Sequence, residues 1–520
     1  MSHARTTFAE RWRQAVTAVP EDVFLVWEGS DGATTAWTYR AFDGVVRAVQ
    51  GGLHARGIGH GDRVLLALRN SPAFVALWLA AAGMGACIVP CDPQSSEREL
   101  ALVTQRTLPR LGVSGGRSRA ALDSAAAQLS LATVHVDEDD VLLEALRGAP
   151  PAADEAEAAA PQPRDVAAIM FTSGTTSAPK GVVVTQANYA FAGDVMAAAA
   201  ALRRGDRQIV VLPLFHANAQ YYSFAAAISA GASVALMHTF SASGFLEQAA
   251  RHQATHASLF AAPMRMILAR GATPVSGLRL RHCWYAQNVT GEQYEELSAL
   301  LGCRPRQLYG MTETIPAVLT NRALDARPDS MGQTTLGCSV DLRPLQAGDN
   351  PSVPDGEAGE LVVGGHPGIT LFNGYLDDPA TTMQSFSKGW FHTGDRAVRD
   401  GDGRYSFAGR GGDILKVAGE NVSAVEVEAV LAAHPAVFEA AVAGEADAVR
   451  DEVPIAYVVL CAGATGTNVD DLDTWCEHRL APAKRPRRIH LVDELPRTSV
   501  GKIRKFMLPE LVAAPVGEKR

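Results

Sequence analysis

The sequence predicts an α/β protein: a large N-terminal domain of two stacked βαβ subdomains plus a small β-barrel-like subdomain, then a small α+β C-terminal domain. Two observations carry this. A βαβ pattern occurs twice, and beyond residue 331 it gives way to short strands punctuated by Gly, Pro and Asp. In the first copy, Gly61-Asp62-Arg63 leads into an apolar strand at 64–68, a helical stretch at 74–84 and a strand at 87–90. In the second, Gly205-Asp206-Arg207 leads into a strand at 209–214, a helix at 221–230 and a strand at 233–237. Each copy supplies a parallel strand pair joined by a crossover helix, so two stacked, mainly parallel sheets are expected. Chance likeness between two common α/β patterns is the bland alternative.

Between the copies, residues 148–164 are rich in Ala, Pro and Glu and read as a surface connection. Over 331–410, strands such as 359–363 and the turn Gly401-Asp402-Gly403 before Tyr405 suggest the β-rich subdomain. Later come helical periodicity at 425–433, strands at 440–442 and 455–460, and a helix at 472–480. They form a unit of about a hundred residues, a size that folds independently. The expected boundaries are therefore 1–410, with its β-rich part at about 331–410, and 411–520.

The totals exclude several classes. A chain of 520 residues exceeds one ordinary core. Hydrophobic content of 47% with 20% charged residues is that of a globular enzyme. The net charge of −9 argues against a nucleic-acid partner. Seven cysteines lie scattered with no C-x-x-C pair, which fits reduced thiols in a cytoplasmic setting. The first residues mix Glu10, Arg11, Arg13, Glu21 and Asp22 and show no apolar secretory core. No apolar stretch is long enough to cross a bilayer, so no membrane partner is expected and the location expected is cytoplasmic.

The most informative stretch is Phe171-Thr172-Ser173-Gly174-Thr175-Thr176-Ser177-Ala178-Pro179-Lys180-Gly181, between an apolar run at 166–170 and a β-branched run at 182–185. It reads as strand, tight loop, strand. Hydroxyls beside Gly174 can turn N–H and O–H donors toward one point, and Lys180 adds a positive charge. Such a cluster suits a polyphosphate, whose anionic oxygens want charge-assisted donors. The P-loop spacing would instead put Gly-Lys-Ser/Thr at a helix start. A polar surface turn is the bland alternative, and it fits poorly between two buried strands.

Four further motifs follow in order: Tyr309-Gly310-Met311-Thr312-Glu313-Thr314, Trp390-Phe391-His392-Thr393-Gly394-Asp395, Gly409-Arg410 with 416–428, and Pro496-Arg497-Thr498-Ser499-Val500-Gly501-Lys502-Ile503. With the hydroxyl-rich loop, they resemble the adenylate-forming superfamily of acyl-CoA synthetases, peptide-synthetase adenylation domains and luciferases. The likeness covers almost the whole chain, and the segment 216–288 is most similar to carnitine/crotonobetaine-type CoA ligases.

The resemblance implies ATP, Mg²⁺ and CoA, and a C-terminal domain that is mobile. It implies that Thr172, Ser173, Gly174, Thr175, Thr176 and Lys180 hold the phosphates, with Thr175 among the catalytic groups. Asp395 accepts both ribose hydroxyls, Tyr309 and Gln287 flank the adenine, Thr312 donates to the α-phosphate, and Arg410 reaches ribose or phosphate. Glu313 supplies one hard oxygen to the Mg²⁺, which otherwise takes waters and phosphates. Lys502 bridges the attacking carboxylate and the α-phosphate. After rotation about Gly412, the segment 416–423, with Gly419, lines the thiol approach. The blander roles are a turn-capping Asp395, a core Tyr309, a helix-capping Glu313, a linker charge at Arg410 and a solvated Lys502.

The resemblance also places His216 among the catalytic groups, at the mouth of the acyl pocket where it assists or gates the first half-reaction, with Asn218, Tyr285, Asn288, Gly310, Met311 and Ile315 as lining; a packed structural histidine is the alternative. Three features depart from the family pattern. A glycine-rich adenine segment is replaced by Trp284-Tyr285-Ala286-Gln287-Asn288, so Tyr285, Gln287 and Asn288 are expected to point polar atoms into the pocket. The pivot Gly412 has no side chain to set its two stops, and Lys502-Ile503-Arg504-Lys505 is one residue tighter than usual. With Gln220, Tyr221 and Tyr222 nearby, the lining favours a small polar or aromatic acid over a fatty acid. The expected activity is therefore acid activation as an acyl-adenylate with transfer to CoA. Adenylation without CoA remains open, with a carrier protein as acceptor or with nitrite activated to diazotise an arylamine. So does a non-catalytic nucleotide sensor.

Overall fold

The computed structural model describes residues 6–149, 160–172, 179–323, 325–345, 352–410, 414–417, 420–447, 451–464, 466–497 and 503–513. Both βαβ copies form as the sequence predicts. Arg63–Ala67 pairs in parallel with Cys87–Pro90, and Arg207–Val210 pairs in parallel with Ser233–Met237. Their entry turns repeat bond for bond. Gly61 and Gly205 take φ values of +79° and +87°, and Asp62 and Asp206 each accept a backbone N–H three residues back, at 2.8 and 2.9 Å. The carbonyls of the same two aspartates receive Cys87 N and Ser233 N at 2.8 and 3.0 Å.

A six-stranded sheet runs Ala132–His135, Leu111–Ser114, Arg63–Ala67, Cys87–Pro90, Val166–Thr172, Lys180–Thr185. A nine-stranded sheet runs Gln333–Thr334, Leu319–Thr320, Arg306–Tyr309, His282–Ala286, His256–Phe260, Arg207–Val210, Ser233–Met237, Val23–Glu28, Thr34–Thr38. The chain interlocks them, because its first strand, Val23–Glu28, joins the sheet built from the second copy.

One face of each sheet, with Val64 and Leu66 from the first and Val234 and Leu236 from the second, packs into a shared buried layer. The helix Pro72–Gly83 lies in that layer and buries residues all round, as a helix apolar on every side must. Ser71 caps it through Phe74 N, and Pro72 fills the first position, where an N–H has no partner anyway. Phe8 stacks on Trp78 and Tyr189 at 5.0 Å each, joining three helices of the layer.

The β-rich part is an antiparallel sheet of Ser339–Arg343, Ala358–Gly364, Trp390–Arg399 and Phe386–Ser387, with Tyr405–Arg410 on Trp390–Arg399. Beyond it, Glu420–Ser423, Ile414–Val417, Asp451–Leu460, Val437–Asp447 and Arg488–Leu491 form a fourth sheet. The helices Ala424–Ala432 and Val469–Glu477 contribute Val427, Leu431, Leu472 and Cys476 to its core.

The second copy departs from expectation after Val210. The strand ends there, and residues 211–214 leave the sheet because Asn70 captures them. Its Nδ2 donates to Leu212 O and Met237 O at 3.1 and 3.0 Å, and its Oδ1 accepts Leu214 N at 2.8 Å. The expected helix at 221–230 begins as the π-helix Asn218–Ala225 and continues as Ala226–Ala230. π-Helical turns concentrate at functional sites, and this one follows His216. Asn70→Ala strips partners from one buried N–H and two carbonyls, at an expected cost of about 2–3 kcal/mol. A lowered denaturation midpoint checks this; an unchanged one would show that solvent replaces the tether.

Candidate active site

Asp395 sits inside a strand, not after a turn as its Thr-Gly setting suggests. Trp390–Arg399 bulges where it passes Glu360 and Val362, with Gly394 at φ +72°. Thr393 Oγ1 donates to Leu361 O at 2.7 Å and accepts Asp395 N at 3.1 Å, while Glu360 takes Gly394 N at 3.2 Å and holds His392 Nδ1 at 2.8 Å. The bulge re-aims the carboxylate. Asp395 is 5% exposed, and both its oxygens are engaged. Tyr309 Oη donates to Oδ2 at 2.6 Å, and Arg410 Nε donates to Oδ1 at 2.6 Å. Burial and then the Asp395 charge hold the Tyr309 hydroxyl well above its ordinary pKa. Burial works against the Arg410 charge, but the Asp395 carboxylate outweighs it and raises the pKa. Three predicted residues thus meet at one point, from the nine-stranded sheet and the β-rich sheet.

A second group gathers four residues past Tyr309. Glu313 is 5% exposed and accepts from Tyr375 Oη at 3.1 Å. Lys180 Nζ stands 4.9 Å from the centre of the Tyr375 ring. Burial first and Glu313 second push the Tyr375 hydroxyl up. Tyr375 was not singled out in the sequence; its only signal is the preceding Gly374, whose φ of +113° few other residues adopt. The segment is zipped onto the strand leaving the phosphate loop, through Val183 N to Gly374 O at 3.0 Å and Leu376 N to Gly181 O at 2.8 Å.

The loop's two stems are registered by Thr172 opposite Lys180. Arg106, also missed, holds both: its guanidinium lies 5.1 Å over Phe171 and donates to Pro179 O. Ser173, Gly174, Thr175 and Thr176, together with Gly412, Gly419 and Lys502, lie outside the described residues.

On the acyl side, His216 is half-buried and ring-packed against Phe215 at 4.4 Å. Asn218, on the π-helix, is 5% exposed and accepts Ser258 Oγ at 2.9 Å. Gly310 is required where it stands, since a Cβ there would lie 2.6 Å from Tyr222 Oη. Thr312 and Met311 are half-buried beside it, and Ile315 is buried in the inter-sheet layer.

Several expectations about this lining are corrected. Tyr285 faces away: it packs with Tyr294 in the cluster on the outer face of the nine-stranded sheet, while Trp284 joins the inner layer. Strand alternation puts consecutive side chains on opposite faces, so only one of the two can line the pocket. Asn288 is exposed, and its Oδ1 accepts Gln307 Nε2 at 2.8 Å. Gln220 is consumed by Tyr189 Oη and Leu214 O, and Tyr221 Oη is turned to Met170 Sδ at 3.8 Å.

Gln287 explains the missing glycine. It adopts φ +73°, and Ile315 adopts φ +71°, a left-handed conformation costly for side chains with a Cβ. The backbone turn that a glycine would make freely is thus made under strain, as functional sites often allow. Gln287→Gly is expected to raise stability by about 0.5–1 kcal/mol, the strain relieved less the added chain entropy. The denaturation midpoint reads this, and a lowered midpoint would show that the side chain, not the turn, holds the segment.

Residues 12–376 match the family of AMP-binding enzymes, and residues 426–502 match the AMP-binding enzyme C-terminal domain. The crotonobetaine/carnitine–CoA ligase of Salmonella paratyphi A is 32% identical over 507 residues, covering 95% of this chain and 97% of that protein. The relative from Citrobacter koseri is 32% identical over 516 residues, with the same coverage. ATP-bound MatB from Rhodopseudomonas palustris superposes with a TM-score of 0.85 at 26% identity, over 96% of this chain and 98% of that one. The anthranilate CoA ligase AuaEII with anthranoyl-AMP gives 0.87 at 25% identity, over 98% of each chain. With both of its domain types matched in order, and relatives aligned almost end to end, the chain belongs to the AMP-binding enzyme family.

Proposed function

We propose that the chain activates a small polar or aromatic carboxylic acid with ATP and passes the acyl group from its adenylate to CoA. One observation carries the reading: Asp395, with Tyr309 and Arg410, presents a buried carboxylate to a site that also holds Glu313, Tyr375 and Lys180. Arg410 is within electrostatic reach of both Asp395 and Glu313, so the two groups share one site. A ribose diol can take over the donors to Asp395, and the phosphates then extend toward Lys180. The chain's similarity to a crotonobetaine/carnitine–CoA ligase and to an anthranilate CoA ligase supports a CoA-dependent acid ligase.

Glu313 is the carboxylate we assign to a magnesium ion that arrives with ATP; its hard, buried oxygens fit that ion, which would neutralise phosphate charge. The chain's own part is positional. Attack of a carboxylate on the α-phosphorus brings two anions together, so cations and fixed donors supply the catalysis and no protein nucleophile is needed. Lys502 is assigned to that contact. The described residues on either side of it pair with each other, with Arg497 bridged to Ile503 and Arg504 N bonded to Pro496 O at 2.7 Å. Arg497 and its ion-pair partner Glu439 are within electrostatic reach of Arg265, whose Nη1 donates to Asn288 O at 3.2 Å. The small pocket follows from Tyr222 pressed against Gly310 and Trp284 filling the inner face.

Pyrophosphate release across a panel of acids, followed by loss of free thiol on adding CoA, tests the reading. Acid-dependent release with thiol loss is expected; release with the thiol untouched would move the acceptor to a carrier protein or an amine. Lys502→Ala should cut adenylation at least about a hundredfold, the scale of a lost electrostatic contact to the transition state, and spare thioester formation from a pre-made adenylate. Equal loss in both halves would contradict the assignment.

A further inference from the structure

The inner face of the nine-stranded sheet holds buried polar atoms that have no partner among the described residues. Asn218 gives its Oδ1 to Ser258 Oγ at 2.9 Å, while its Nδ2 has no hydrogen-bond partner among the described residues. Ser258 stands opposite Trp284 in the parallel register, so the two side chains share a face. Trp284 is 1% exposed, and its Nε1 is also without a partner among the described residues. Two unpaired donors therefore flank one hydroxyl: Asn218 two residues past His216, and Trp284 on the strand beside Arg306–Tyr309.

A buried donor without an acceptor costs about 1–3 kcal/mol, and Val at 218 with Phe at 284 would avoid it. The rest of the segment does avoid it. Gln208 Nε2 satisfies the π-helix carbonyls of Tyr222 and Ser223 at 3.2 and 3.3 Å, and Gln220 has two partners of its own. Along 208–223 the exception is Asn218 Nδ2, and on the facing strand Trp284 Nε1 and both ring nitrogens of His282 are likewise without a partner among the described residues.

We propose that Asn218 and Trp284 form the recognition subsite for the far end of the acyl group, and that this end carries a neutral hydrogen-bond acceptor such as a carbonyl or hydroxyl oxygen. The proposal rests on the acid–CoA ligase reading above. An indole N–H can only donate, so the acceptor chemistry does not depend on which way the Asn218 amide is turned. Neutrality follows from the surroundings. Arg306 lies 6.0 Å over the face of the Trp284 ring, whereas the N–H lies in the ring plane. His282, edge-on to Trp284 at 4.2 Å, is held uncharged by its burial. An anionic end group would be buried there without a counter-charge in line with it.

The test measures kcat/KM by pyrophosphate release with two matched pairs, pentanoate against 4-oxopentanoate and benzoate against 4-hydroxybenzoate. The wild-type enzyme should prefer the oxygen-bearing member of at least one pair by about tenfold or more. Asn218→Val should erase most of that preference without changing KM for ATP. Trp284→Phe, which keeps the ring and removes only the N–H, should erase it in part, and guards against a folding defect in the first variant. No preference in either pair, or a preference untouched by both variants, overturns the proposal. Absence of pyrophosphate with every acid would instead strike the ligase reading itself.

Discussion

The site is organised around one buried carboxylate. At 5% exposure the Asp395 carboxylate has little water to donate to it, and Tyr309 and Arg410 supply the donors instead. Those donors come from different parts of the chain. Tyr309 ends a strand of the nine-stranded sheet, and Arg410 is the last residue of the β-rich sheet before the C-terminal unit. The pairing therefore ties the nine-stranded sheet to the β-rich sheet at the root of the connection that follows Arg410. A ligand bearing two adjacent hydroxyls can offer two donors to the same carboxylate.

Other tethers act in the same way on neighbouring pieces. Asn70 draws residues 212–214 out of the sheet, which sets the position of His216 and the π-helix. Tyr375 joins Glu313 to Lys180 and to the strand that leaves the phosphate loop, while Arg106 spans both loop stems. Gln287 holds left-handed backbone directly after the strand His282–Ala286, and Ile315 does so in the connection that follows the neighbouring strand. Strain of this kind persists only where the surroundings over-determine it. Here the surroundings are the Gln307 bonds to Gln287 O and Asn288 Oδ1, and the close packing of Tyr222 on Gly310.

Much of this was legible in the sequence, for physical reasons. The two βαβ copies announce themselves because Gly-Asp-Arg makes the same turn twice, with the same aspartate accepting the same backbone N–H. Tyr309, Glu313, Asp395 and Arg410 could be placed because their motifs are long and ordered. What stayed hidden depends on distant partners. The bulge that carries Asp395 is set by Glu360 and Thr393 across a strand pair, and Tyr375 gains its role from a residue 62 positions away. A period of two assigns Trp284 and Tyr285 to opposite faces but does not say which face is inner. A π-helix and an α-helix share nearly the same apolar pattern, so the extra residue per turn at 218–225 left no trace in the sequence.

The most direct measurement is a crystal structure with magnesium and a non-hydrolysable ATP analogue. The ribose hydroxyls should lie about 3 Å from the Asp395 carboxylate, with the phosphates running past Lys180. A nucleotide seated in another cleft, with Asp395 still held by Tyr309 and Arg410, would contradict the account.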